Sequence, residues 1–118
     1  MPIKNALASV AVKDLSTAIS WYEKLFGRPA DSRPMDEVAE WKFERGGWLQ
    51  VYENSERFGK GSVTLVISSL EEQIAELHKC GIDPGQPILG EMARVVMVKD
   101  PDGNSIAFAE ATDASLAR

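Results

Sequence analysis

The stretch L-A-S-V-A-V-K-D-L-S-T-A-I-S-W-Y-E-K-L-F-G, residues 7–27, reads as one strand feeding one helix. Ala8, Val10 and Val12 alternate with Leu7, Ser9 and Ala11, the period of a half-buried strand. Asp14 or Ser16 can cap a helix in which Ala18, Ile19, Tyr22, Leu25 and Phe26 recur at helical spacing. Gly27 stops that helix, because glycine enters the left-handed region without a Cβ penalty. The same order returns at residues 62–81. Val63, Leu65 and Ile67 alternate with Ser62, Thr64 and Val66; Ser69 then opens S-x-x-E, and Leu70, Ile74 and Leu77 line one helix face before Gly81. A shift of 55 carries Val12 onto Ile67, Leu15 onto Leu70 and Ile19 onto Ile74.

Each strand–helix pair is followed by a short extended piece and a hairpin. In the first half, 28–34 is extended at best. Strands at Glu40–Glu44 and Trp48–Tyr52 then flank a tight turn on Gly46-Gly47. Residues 54–61 are polar and read as a linker. In the second half Pro84 and Pro87 enforce a loop, Arg94–Val98 is an apolar strand, 100–104 (D-P-D-G-N) is a turn and Ile106–Ala109 is the last strand. A shift of 57 carries Leu49 onto Ile106 and Val51 onto Phe108. The tail from Thr112 is expected to fray. The expected fold class is α+β, two βαβββ modules at about 5–54 and 61–111 in a single domain of 118 residues.

Bulk properties narrow the function. A net charge of −5, with 13 basic residues scattered among 18 acidic ones, excludes nucleic acid as the main partner. The acidity serves solubility or attracts a cationic small molecule. The single Cys80 cannot form an intrachain bridge, which fits a reducing compartment. No apolar run reaches membrane-span length, and M-P-I-K-N lacks a signal-peptide core, so a cytoplasmic location is expected.

Three stretches resemble the vicinal oxygen chelate superfamily of glyoxalase, bleomycin-resistance and extradiol-dioxygenase-like proteins. They are V-x-V-K-D-L at 10–15 with A-I-S-W-Y-E-K-L-F-G at 18–27, the linker with the second strand and capped helix, and K-D-P-D-G-N-S-I at 99–106. The resemblance implies a curved eight-stranded mixed sheet around a cleft, helices on the convex side, and a homodimer. Its implied ligand-binding cleft holds Ser9, Trp41, Trp48, Gln50, Tyr52, Ser62, Thr64 and Arg94.

Metal-dependent members take one ligand from each of four strands. The matching positions are Leu7, Gln50, Ser62 and Ala107; Leu7 and Ala107 carry no donor atom. No metal and no other cofactor is therefore expected. Cys80 has no histidine identified as its base, and no Ser–His–Asp order is present. The expected class is a metal-independent small-molecule-binding protein that sequesters a cationic or aromatic ligand, such as a drug in antibiotic resistance. The alternative is a metal-independent or weakly metal-dependent enzyme, lyase- or dioxygenase-like. There Arg94 would orient an anionic substrate for polar cleft groups.

Overall fold

Strand β1 (Leu7–Val12) leads into helix α1 (Leu15–Phe26), then β2 (Ser32–Met35), β3 (Val38–Lys42) and β4 (Trp48–Glu53). The order repeats as β5 (Ser62–Ile67), α2 (Leu70–Lys79), β6 (Ile88–Leu89), β7 (Ala93–Lys99) and β8 (Ser105–Ala111). This is a computed structural model that describes residues 2–111, so the fraying expected from Thr112 lies outside the described residues. The α+β class and the βαβββ repeat are present. The eight strands hydrogen-bond as two four-stranded mixed sheets, β1-β4-β3-β2 and β5-β8-β7-β6. In each sheet the first strand pairs parallel with the last, across a connection that contains the helix, and the remaining pairs are antiparallel. Strand β6 is two residues long and begins directly after Pro87, which has no N–H to give a ladder.

Both helices start and stop where the sequence says. Asp14 accepts from the Thr17 N–H and hydroxyl, and Gly27 takes φ 70° at the far end. Ser69 accepts from the Glu72 N–H. Each helix lies on one face of its own sheet, with Leu15, Ala18, Tyr22 and Leu25 buried from α1 and Leu70 and Leu77 from α2.

The described chain divides into two compact units. One runs to Gly61 and includes residues 100–104; the other holds Ser62–Lys99 and the strand from Ser105. The D-P-D-G-N turn, late in the sequence, thus packs with the first unit. Asn104 is wholly buried and Asp100 nearly so. Asn104 Nδ2 donates to the Ala11 carbonyl (2.8 Å), its Oδ1 accepts from the Gly61 N–H (2.7 Å), and Asp102 Oδ2 accepts from the Lys13 N–H (2.9 Å). The Tyr22 hydroxyl donates to Asp100 Oδ2 at 2.8 Å. Burial first, and then the Asp100 carboxylate, push the Tyr22 phenol far above its ordinary range, so it remains a donor. Opposite the turn, Gly59 has φ 80°, and a Cβ there would stand 2.4 Å from the Asp102 carbonyl oxygen. Only glycine fits.

Register corrects one expectation about the first hairpin. A two-residue turn on Gly46-Gly47 would pair Trp41 with Tyr52 and place both on one face. The connection instead spans 43–47, closed by Phe43 N–H to Gly47 O and Gly46 N–H to Phe43 O, with Gly46 at φ 94°. Trp41 therefore pairs with Leu49 and Lys42 with Trp48. The displacement of three residues is odd, and an odd displacement turns every side chain of the strand to the other face. Trp41 becomes fully buried beneath α1, 5.9 Å from Tyr22 and 5.6 Å from Phe26 between ring centroids.

Candidate functional site

Opposite α1, the first sheet presents a face, open except at the buried Ala11 and Val38, built as three rows across β1, β4 and β3. The outer rows are Leu7–Trp48–Lys42 and Ala11–Tyr52–Val38; the middle row is Ser9–Gln50–Glu40. Ser9 Oγ lies 3.4 Å from Gln50 Oε1, and Gln50 Nε2 donates to Glu40 Oε2 at 2.9 Å. The amide is thus oriented from both sides. Lys42 Nζ sits 5.8 Å from the centroid of the Trp48 ring, within cation–π range. Trp48, Gln50, Tyr52 and Glu40 are all half-buried, the state of groups that one more partner could cover.

The second sheet's open face differs in chemistry. Its rows are Ser62–Ser105–Lys99, Thr64–Ala107–Met97 and Val66–Ala109–Val95, with Ile88 extending the last onto β6. Lys99 Nζ donates to Ser105 Oγ at 2.8 Å, the polar end of the face. Beyond it Val66 (53% exposed), Met97 (40%) and Ile88 (63%) surround an alanine floor. The first face is polar and aromatic; the second is mainly apolar.

Of the residues expected in a cleft, Ser9, Trp48, Gln50 and Tyr52 come together on the first open face, and Ser62 and Thr64 lie on the second. Trp41 does not join them; it is core, and its indole N–H donates to the Arg28 carbonyl at 3.1 Å. Arg94 does not join them either. It pairs with Glu110 on the face shared with Val96 and Val98, the helix face. There its guanidinium donates to Glu71 and Glu110, and those two carboxylates hold it charged. It has no freedom to orient a substrate. Glu40 is the residue that sequence reasoning missed: it shares the face of Gln50 because Trp41 takes the other.

Glu53, at the end of β4, and Glu110, near the end of β8, are matched helix caps. Glu53 accepts the Leu15 N–H (3.0 Å) and Glu110 the Leu70 N–H (2.9 Å), each at the first residue of its module's helix. The shift of 57 between them is the shift of the closing strands. The Leu70 N–H, and then Arg94, hold the Glu110 carboxyl below its usual range; Arg94 does the same for Glu71. A carboxyl depressed on folding stabilises above its unfolded value, about 4.3, and that contribution is lost as pH falls through the folded value. Wild type should therefore lose more stability than Glu110→Gln between pH 7 and about pH 3.5, measured as urea midpoints. Equal losses would show that Glu110 does not carry this pH dependence.

The family's metal positions do not fit a divalent cation. The side chains of Leu7 and Ala107 offer only carbon, Ser62 rarely ligates, and the Gln50 amide is already engaged by Ser9 and Glu40. No group of three or more His, Cys, Asp and Glu residues among the described ones could hold an ion.

The chain matches no protein-family profile and no curated protein sequence. It does match the solved structure of a glyoxalase/bleomycin resistance protein from Catenulispora acidiphila DSM 44928. Identity is 32%, over 90% of this chain and 96% of that one, with a TM-score of 0.82. The chain belongs to the glyoxalase/bleomycin resistance family. Within the family's fold it is similar to TnmS3, an antibiotic binding protein from Streptomyces sp. CB03234. There the identity is 22%, coverage 95% and 99%, and the TM-score 0.80. It is also similar to a bleomycin resistance determinant encoded on transposon Tn5, at 16% identity, 94% and 100% coverage and a TM-score of 0.78. In this chain the first strand–helix segment and the D-P-D-G-N turn are joined by the Tyr22–Asp100 hydrogen bond. No helix among the described residues is long and apolar enough to cross a membrane.

Proposed function

We propose that this protein binds a small organic molecule, without a metal ion, against the open face of its first sheet. The observation that carries this reading is the half-buried set Trp48, Gln50 and Tyr52, beside Ser9 and opposite the helix. Half-buried aromatic rings gain about 0.5–1.5 kcal/mol from each further ring contact beyond the area they bury. The Gln50 amide and Ser9 hydroxyl add polar fixing points. Relatives described as an antibiotic binding protein and a bleomycin resistance determinant support sequestration, so the expected ligand class includes aromatic antibiotics. The protein is proposed to act as a cytoplasmic homodimer, with the exposed Val66, Met97 and Ile88 surface of the second sheet available for burial.

An enzymatic reading finds less support. Arg94, its anion-orienting residue, is engaged by two carboxylates on the helix face.

Two measurements test the proposal. Protein purified without chelator should hold less than about a tenth of an equivalent of transition metal by elemental analysis, since two-donor sites do not retain such ions. A thermal-shift screen of aromatic antibiotics and metabolites should then find a stabilising ligand whose effect is lost in Trp48→Ala. Stoichiometric metal, or ligand effects indifferent to Trp48, would overturn the reading.

A further inference from the structure

The polar row on the first sheet ends in a carboxylate whose charge is not balanced. Glu40 is half-buried, and Gln50, a neutral amide, is the group that donates to it. Among the described residues, the ion pairs within 4 Å are Arg28–Asp31, Lys79–Glu76, Arg94–Glu71 and Arg94–Glu110; Glu40 is in none. Lys42 is two residues away on the same face and could have supplied the charge. Its ammonium lies over Trp48 instead. A partly desolvated carboxylate paired only with an amide keeps an uncompensated charge, and a cation brought beside it gains from both. The Trp48 face, moreover, already accepts an alkylammonium from within the protein.

Resting on the proposed binding function, we infer that Glu40 is the specificity-determining residue of this face, selecting a ligand that carries an ammonium group on an aromatic body. Gln50 holds the carboxylate in place by its Nε2 donation, and Ser9 Oγ touches the other end of that amide. Trp48 and Tyr52 stand two residues to either side of Gln50 on β4, where they flank the carboxylate's row. The ligand's ammonium meets Glu40 while its ring lies against Trp48, in the place the exposed Lys42 vacates. Lys42 is then a competitor for the ring, and its removal strengthens binding of a cation.

Three probes with one ring separate charge from shape: phenethylammonium, phenethyl alcohol and phenylacetate, titrated by calorimetry at low salt. Wild type should bind the ammonium at least about tenfold tighter than the alcohol, and phenylacetate weakest. Glu40→Gln, which keeps the size and the contact with Gln50, should bring ammonium and alcohol within about twofold and leave the alcohol's affinity unchanged. Lys42→Met should raise the ammonium's affinity, which gives a readout independent of any folding defect in the first variant. If wild type binds ammonium and alcohol equally, or if Glu40→Gln keeps the preference, the assignment of Glu40 fails while the binding face stands. If none of the probes binds wild type, the assignment falls together with the aromatic face on which it rests.

Discussion

Trp41→Ala should unfold this protein about 3–5 kcal/mol more easily than wild type, whereas Trp48→Ala should cost less than about 1 kcal/mol. The two tryptophans stand on opposite faces of one hairpin. Trp41 is wholly buried, touches Tyr22 and Phe26, and donates its indole N–H to Arg28. Truncation removes its buried area, leaves a cavity beneath α1 and orphans a carbonyl. Trp48 is only half-buried, so its loss removes part of the proposed binding face rather than of the core. Urea denaturation of both variants measures the first quantity, and ligand titration the second. If Trp41→Ala were as stable as wild type and impaired only in binding, the register described for β3 would be wrong.

Asp100→Ala should cost a similar amount, about 3–5 kcal/mol, although it deletes a surface-type residue from a turn. The carboxylate is nearly inaccessible and accepts four hydrogen bonds. Oδ1 takes the Asp102 and Asn104 N–H groups; Oδ2 takes Asn104 Nδ2 and the Tyr22 hydroxyl. Alanine leaves all four donors without that acceptor. Tyr22→Phe removes one of the four and should cost about 1–2 kcal/mol. Thermal or urea unfolding of the two single variants and the double variant gives the comparison. The double variant should be no worse than Asp100→Ala by the full Tyr22→Phe cost, since the pair share one bond. A loss in Asp100→Ala no larger than in Tyr22→Phe would mean that the turn is held by something other than this carboxylate.

Trp41, Arg94, Glu53 and Glu110 show why parts of the candidate site were hidden from the sequence. Alternation in β3 states that Trp41 and Glu40 oppose each other, but not which of them meets the helix. That depends on the length of the connection to β4, and Gly46-Gly47 reads equally well as a two-residue turn or as part of a longer one. In β7, Val95, Val96, Met97 and Val98 are apolar at both parities, so no pattern fixes the side on which Arg94 lies. Glu53 and Glu110 each lie near the end of a closing strand, where a carboxylate looks solvated. Their hydrogen bonds go to helix termini 38 and 40 residues away.

By itself the sequence determined the βαβββ repeat, the helix ends and the inward set Ala8, Val10, Val12, Leu49, Val51, Val63, Leu65, Ile67, Ile106 and Phe108. These rest on periodicity and capping, which act over a few residues and are written in local order. It also determined that the side chains of Leu7 and Ala107 cannot ligate a metal, because a side-chain donor atom that is missing is missing in any fold. Tertiary structure alone decided that the strands hydrogen-bond as two sheets, that Trp41 is core, that Arg94 belongs to a helix cap, and that Glu40 stands beside Gln50. Each of those depends on cross-strand register or on a partner distant in the chain. A displacement of three residues there moves a tryptophan from the proposed binding face to the interior at no cost to the local pattern.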